Sequence, residues 1–166
     1  MKEIDQELIM KIHIPRWNEL PEIDLYLDQV VGYLEKYLEQ YNANKDDKII
    51  TKTMINNYVK LGIMPAPEKK KYNREHIAYL MVICVLKQAY SISDIGKLIS
   101  LTIQYFEISK AYNRFCANLE ISVKNVFSRK EFPNVERMTE EQYLLKNVVQ
   151  SIADKLYVEL KFLNKE

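Results

Sequence analysis

Five polar residues lie close together in the middle of the chain: Thr51, Lys52, Thr53, Asn56 and Asn57. An asparagine side chain can pair bidentately with adenine, and threonine or lysine can bond to a phosphate or a base edge. A short helix that is held by a second helix can carry such residues into the major groove of DNA. The segment is therefore a candidate base-reading helix.

Basic side chains follow this segment and are candidates for binding the phosphate backbone: Lys60, Lys69, Lys70, Lys71 and Arg74. Each phosphate that a basic side chain neutralises releases counterions, so a few such contacts give salt-sensitive binding. A lysine run in a polar loop is, however, more often a solvated surface than a nucleic-acid contact. The combined order of short helix, glycine, basic loop and long helix is more specific than any one of its parts.

Charge is unevenly distributed along the chain. Residues 45–90 hold nine Lys and Arg against four Asp and Glu, a net charge of +5, whereas residues 1–44 hold four against nine, a net −5. The remaining residues, 91–166, hold 11 against ten. The small formal total of +1 therefore hides a basic block beside an acidic one, which points to an anionic partner for the basic block.

Apolar spacing and capping residues predict a mostly helical chain with short connections, since it has only three glycines and five prolines. An irregular arm is expected over residues 1–21, packing through Ile12, Ile14 and Trp17, and a polar loop over 42–48. The expected helices span 22–41, about 51–61, 74–89, a short one from Ser91, 102–127 and 139–163.

The candidate base-reading helix should begin at a cap, either Thr51 or Thr53, and end at Gly62. Asn73 is the expected cap of the following helix, and capping boxes are expected at Ser91 and Thr139. The inward face of the base-reading helix should consist of Met54, Ile55, Tyr58 and Leu61. The stripe of the 102–127 helix should run from Tyr105 through Tyr112 and Leu119.

Other classes of function find little support in the residues. Cys84 and Cys116 lie in apolar helical patterns, which favours buried free thiols in a reducing compartment over a disulfide. His13 and His76 lack metal-ligand spacing to either cysteine, and His76 is expected to act as a cap or contact. Because no phosphate-binding glycine loop or catalytic motif occurs, we expect no cofactor, no metal and no enzymatic activity.

The N-terminal residues are acidic, without the apolar core of a signal peptide, and no apolar run reaches the length of a membrane span. These features predict a cytoplasmic protein that does not enter a membrane. At 166 residues the chain fits one domain, or one small domain with an oligomerisation element.

The run from Thr53 to Pro65, TMINNYVKLGIMP, resembles the recognition-helix segment of MerR-type helix-turn-helix regulators. Residues 71–77 are similar to the exit from the wing of that family, and residues 86–95 to its segment beyond the next helix. Asn56 and Asn57 stand where the family usually has Arg and Tyr. The residues Ile14–Trp17 and Leu25–Val30 also resemble an uncharacterised bacterial family of domains of unknown function, which implies no activity.

The first resemblance implies an all-α fold: a MerR-like winged helix-turn-helix domain over residues 1–100, followed by a long C-terminal helical hairpin over 101–166. It further implies a regulator that binds double-stranded DNA and that forms a homodimer through this hairpin. Whether a small-molecule effector controls it is unknown. The alternative is a non-enzymatic protein-interaction module on the same scaffold. Its working surface would be the acidic first helix or the aromatic residues of the hairpin.

Overall fold

The computed structural model describes residues 6–42 and 46–163, and this part of the chain is mostly helical, as the apolar spacing predicted. Its α-helices are α1 Gln6–Met10, α2 Leu27–Leu38, α3 Lys52–Lys60, α4 Arg74–Leu86, α5 Ile92–Tyr105, α6 Ile108–Ser128 and α7 Glu140–Val158. The only strands in these ranges, β1 Leu25–Tyr26 and β2 Lys71–Tyr72, pair antiparallel. The polar loop expected over 42–48 falls partly on residues 43–45, outside the described residues.

The chain divides into two compact units. One comprises the two ends of the chain, Met1–Ile14 with Arg114–Glu166, and the other is the continuous stretch Pro15–Asn113. We call them the end unit and the central unit. The division at residue 100, into a DNA-binding domain and a dimerisation hairpin, stays a prediction about domains.

The central unit is built around α4. Nine of the 13 residues of this helix are buried, so it has apolar neighbours on every side. Helix α2 buries Val30, Leu34 and Leu38, four residues apart, against it and its neighbours. Because burying one such side chain contributes roughly 1.5–3 kcal/mol, the contacts around α4 hold the unit together.

Most of the expected helix ends are confirmed. The Oγ1 atom of Thr51 accepts a hydrogen bond from the Met54 amide, which caps α3. Asn73, Ser91 and Thr139 cap α4, α5 and α7 in the same way. The predicted capping box forms at Thr139 but not at Ser91, whose hydroxyl donates to the Asp94 carboxylate at 2.8 Å. Gly62, with φ of +69°, follows α3 in the left-handed conformation that suits glycine.

The helix predicted over 22–41 begins only at Leu27. The two preceding residues pair as strand β1 with β2, in the register Leu25↔Tyr72 and Tyr26↔Lys71, so they are extended. This pairing joins residues more than 40 positions apart, and local periodicity cannot detect it.

The single helix predicted over 102–127 is wrong, because the chain breaks between α5 and α6. Phe106 is extended, with φ of −130° and ψ of 142°. The Glu107 carbonyl accepts the first hydrogen bond of α6 from Ala111, and the Glu107 carboxylate accepts one from the Ser109 hydroxyl at 2.7 Å. Local bonds of this kind compete with the continuation of a helix.

Three residues assigned to inward faces, Leu61, Tyr105 and Leu163, are exposed. Leu61 is 58% exposed because α3 ends at Lys60 and the chain reverses at Gly62. Tyr105 is 74% exposed because it ends α5, so the break at Phe106 removes it from the stripe of α6. The rest of that stripe behaves as expected, with Tyr112 and Leu119 buried.

In the end unit, Ile12 and Ile14 of the N-terminal arm are buried, as predicted. The Ile14 amide donates a hydrogen bond of 2.7 Å to the buried carboxylate of Glu120. The rings of Phe127 and Tyr157, near the ends of α6 and α7, meet edge to face at 5.1 Å. This contact joins α6 to α7, and the hairpin predicted over 101–166 stays a prediction.

Gly32 and Gly62 offer a matched pair of stability tests, because a Cβ added at either would meet no atom within 4 Å. Gly32 lies in the middle of α2, so we expect Gly32→Ala to raise the free energy of unfolding by roughly 0.5–1 kcal/mol. Gly62 has a positive φ, so we expect Gly62→Ala to lower it by about 1 kcal/mol. Urea unfolding measures both. Equal shifts of the same sign would contradict the backbone assignment.

Candidate nucleic-acid interface

The exposed face of α3 carries five of the predicted site residues. These are Lys52, Thr53, Asn56, Asn57 and Lys60, which are all exposed. Their spacing of one, four, five and eight residues places them on one side of the helix. Since α3 contains no acidic residue, this face offers hydrogen-bond donors and acceptors and two positive charges.

Buried contacts hold the opposite face of α3. Ile55 and Tyr58 are buried, and burial raises the pKa of Tyr58 to about 12. The Lys87 ammonium, just beyond α4, donates to the Ile49 carbonyl and lies 3.6 Å from the sulfur of Met54. Lys87 thus ties the entry to α3 to the end of α4, which fixes the direction of the exposed face.

Thr51 differs from the other predicted contacts because its hydroxyl already caps α3. The side chain is half-buried, and its Oγ1 accepts the Met54 amide at 3.2 Å. Its position at the helix start agrees with the prediction, but its acceptor is directed at the backbone of its own helix.

The lysine-rich segment is a tight hairpin, where the residue types predicted a loop. Glu68 and Lys71 exchange two backbone hydrogen bonds, of 3.1 and 2.9 Å, around a two-residue turn. The turn residues Lys69 and Lys70 both have positive φ, +48° and +63°. Asparagine and glycine normally occupy such turns, and other residues there cost roughly 1–2 kcal/mol each. The hairpin therefore exposes two lysines at its tip in a conformation that lysine disfavours.

Strand pairing brings the base of this hairpin to the start of α2. Lys71 is opposite Tyr26, and its ammonium lies 5.3 Å from the centre of the Tyr26 ring. Two residues further on, Asp28 forms an ion pair with Lys52, the first residue of α3. The hairpin base and the start of α3 therefore both lie at the N-terminal end of α2.

Arg74 faces inward, unlike the predicted lysines. Its Nη2 lies 3.4 Å from the Leu20 carbonyl and 4.0 Å from a carboxylate oxygen of Glu22. Its guanidinium lies 5.9 Å from the centre of the Trp17 ring, and its side chain is 26% exposed. Arg74 thus binds the N-terminal arm of the central unit, and phosphate would have to compete with these contacts.

The residues suited to metal or thiol chemistry are engaged or buried. His76 forms a reciprocal cap with Asn73, and its Nε2 lies 3.1 Å from the Ala66 carbonyl. Cys84 and Cys116 are buried free thiols, as predicted, and burial raises the pKa of Cys84 to about 12. Within residues 6–42 and 46–163, no cluster of potential metal ligands occurs and no helix is long and apolar enough to span a bilayer.

Sequence reasoning missed Tyr26 and Asp28 as members of this surface. Their contacts with Lys71 and Lys52 join distant positions, and no local motif marks either residue. It also missed an open cleft of about 490 Å³ beside α2, whose lining includes Gly32, Glu39 and Lys48. Charges of both signs line this cleft.

A family model described as Domain of unknown function (DUF1836) matches residues 15–115, which is more than half of the chain. The matched range agrees with the central unit, residues 15–113, to within two residues. The expected resemblance to a family of unknown function is thereby confirmed. Neither the curated proteins nor the solved structures contain a match to this chain.

The raised pKa of Tyr58 predicts how the free energy of unfolding depends on alkaline pH. Its pKa is about 12 in the folded chain, against an ordinary value of 10.0. The unfolded chain therefore loses this proton first, and the associated stability is complete below about pH 10 and falls between about pH 10 and 12. We expect Tyr58→Phe to reduce the loss of unfolding free energy over this interval. Tyr143→Phe, which alters an exposed tyrosine of α7, is the control. Equal alkaline slopes for wild type and Tyr58→Phe would contradict the assignment.

Proposed function

Because the chain belongs to the DUF1836 family, whose description names no activity, we propose a function from the surface of the central unit. The unit binds double-stranded DNA, with α3 in the major groove and the lysine hairpin on the phosphate backbone. The proposal makes the protein a cytoplasmic, non-enzymatic transcription regulator. Its domain would be a MerR-like winged helix-turn-helix, in which α3 reads the bases and the hairpin is the wing.

The observation that carries the proposal is the exposed face of α3. It combines Asn56 and Asn57, which can pair with adenine, with Lys52 and Lys60 at the two ends of the helix. Thr53 completes the face with a hydroxyl that can bond to phosphate or base. The contacts of Ile55, Tyr58 and Lys87 hold the helix from behind, so the backbone of α3 needs no rearrangement to meet a duplex.

The hairpin lysines support the same proposal. Lys69, Lys70 and Lys71 are exposed, and the ladder with β1 fixes the strand that carries Lys71. Backbone strain is retained most often at functional positions, and Lys69 and Lys70 both hold a strained conformation. Two-fold association of two chains would present two copies of α3 to a pseudo-palindromic site, so we propose a homodimer as the bound form.

A protein-interaction module is the second candidate, and one contact favours it. Asp28 places a carboxylate against Lys52, at the start of α3, where a duplex backbone would approach. In this alternative, α3 and the hairpin serve as scaffold, and the acidic surface of α2 meets a protein partner. Retention on DNA or heparin that disappears with moderate salt favours the first candidate. Salt-insensitive association with a protein favours the second.

Salt-dependent DNA binding tests the hairpin. We expect Lys69→Ala/Lys70→Ala to bind a random duplex more weakly, with a slope of log K against log salt reduced by about 0.9 for each lost phosphate contact. Fluorescence anisotropy across a salt series measures the slope. Lys97→Ala/Lys110→Ala removes the same charge from two other exposed lysines of the central unit and is the control. Equal slopes for the two double variants would remove the hairpin from the interface.

The asparagines of α3 test base reading separately from backbone binding. We expect Asn56→Ala/Asn57→Ala to reduce the preference for the duplex upstream of the protein's own gene over a random duplex. A lost bidentate contact costs roughly 1–3 kcal/mol of discrimination. The salt slope should stay unchanged, since neither asparagine carries a charge. Weaker binding to both duplexes by the same factor, with an unchanged preference, would place these residues on the backbone.

A further inference from the structure

Asp28 is an acidic residue that lies beside Lys52 and close to the lysine hairpin of the central unit. It lies in the first turn of α2, and its carboxylate pairs with the ammonium of Lys52 at the first position of α3. The hairpin lysine Lys71 lies nearby, because Tyr26, two residues before Asp28, is its strand partner. The carboxylate therefore stands where the hairpin base and the start of α3 approach the same end of α2.

The fold makes little use of this carboxylate. The Asp28 side chain is 78% exposed and that of Lys52 is 56% exposed, so water screens their attraction. The start of α2 is capped by Gln29, whose side chain accepts the Tyr26 amide at 2.9 Å. Asp28 still favours the positive end of the helix, but this effect is small at an exposed site. An incoming anion can thus displace the Asp28 carboxylate without disturbing the fold.

The position of the ion pair separates two kinds of DNA contact. Lys52 can contact any phosphate, whatever the sequence, and Asp28 competes with that phosphate for the ammonium. Asn56 lies four residues further along α3, about 6 Å away along the helix axis, and its neutral amide does not depend on this competition. Removing the carboxylate should therefore strengthen sequence-independent binding more than base reading.

We propose that Asp28 is an attenuating residue, whose carboxylate occupies Lys52 and so weakens the contact of α3 with the DNA backbone for every sequence. This inference rests on the proposed function. It assigns the pair a threshold role: every duplex must displace Asp28, and only a duplex that also supplies base contacts to α3 keeps a high affinity. A random duplex offers the phosphate alone and binds more weakly.

Four variants of the full chain test the assignment. Asp28→Asn removes the charge with little change of shape, and Lys52→Gln removes its partner. The double variant Asp28→Asn/Lys52→Gln completes a thermodynamic cycle. Glu35→Gln, two turns along the same face of α2, removes an equal charge about 10 Å away and is the matched control. Anisotropy is measured with a random duplex and with the upstream duplex across a salt series.

We expect Asp28→Asn to bind the random duplex about fivefold more tightly at low salt, as one relieved charge contact near water's dielectric constant implies. Its salt slope should steepen by about 0.9, because Lys52 gains a phosphate. The upstream duplex should gain by the same factor, because both duplexes displace the same carboxylate. In the Lys52→Gln background the gain should vanish, and Glu35→Gln should resemble wild type.

The outcomes separate this inference from the proposed function. If wild type binds DNA with salt dependence and Asp28→Asn matches wild type or Glu35→Gln, the role of Asp28 is overturned and DNA binding stands. A gain in DNA affinity that persists in the Lys52→Gln background also overturns it. Asp28 would then act only by long-range electrostatic repulsion of the DNA. If no variant binds either duplex at low salt, both proposals fail. If only Asp28→Asn binds, the attenuating role of Asp28 is supported, and the proposed function fails for the wild-type chain.

Discussion

The central unit depends on the burial of α4. Because nine residues of this helix are buried around its whole circumference, every neighbouring element must supply an apolar face to it. Ile55 and Tyr58 take the inward positions of α3, so the polar residues of this helix are exposed to solvent. Helix α4 begins directly after β2, at the Asn73 cap, so it also determines where the hairpin ends. One buried helix thus orients both parts of the candidate interface.

Opposite charges that are far apart in the sequence lie next to each other in the central unit. The sequence separates an acidic block from a basic one, but the fold brings an acidic residue of the first block, Asp28, onto a lysine of the second. Arg74 shows the same behaviour in a more buried setting, since its guanidinium turns to Leu20, Glu22 and Trp17. The net charge of a segment therefore overstates the charge that its surface offers to a ligand.

Local signals predicted the caps of four helices and the exposed face of α3, because each depends on residues within one or two turns. Thr51, Asn73, Ser91 and Thr139 each act on a backbone amide three residues away. The resemblance to the family of unknown function was also predictable from the sequence, because short runs of residues carried it. The order of elements around α3 followed from Gly62 and the two nearby prolines.

The failures depended on contacts between distant residues or on competing local bonds. Strand β1 was missed because its partner lies beyond two helices, and the Asp28–Lys52 pair was missed for the same reason. The break at Phe106 was missed because the apolar spacing continues through it, while the bond from Ser109 to Glu107 starts a new helix. The hairpin tip was predicted as a loop because lysine does not signal a positive φ.

The two ends of the central unit are fastened to each other. The Tyr112 hydroxyl donates to the Pro15 carbonyl at 2.8 Å, and the Trp17 amide donates to the Asn113 side chain, also at 2.8 Å. The chain therefore enters and leaves this unit at one place, and the flanking segments belong together in the end unit. A domain whose two ends lie side by side is suited to domain insertion. It can interrupt another domain without being stretched itself, and without separating the two segments of the domain that it interrupts.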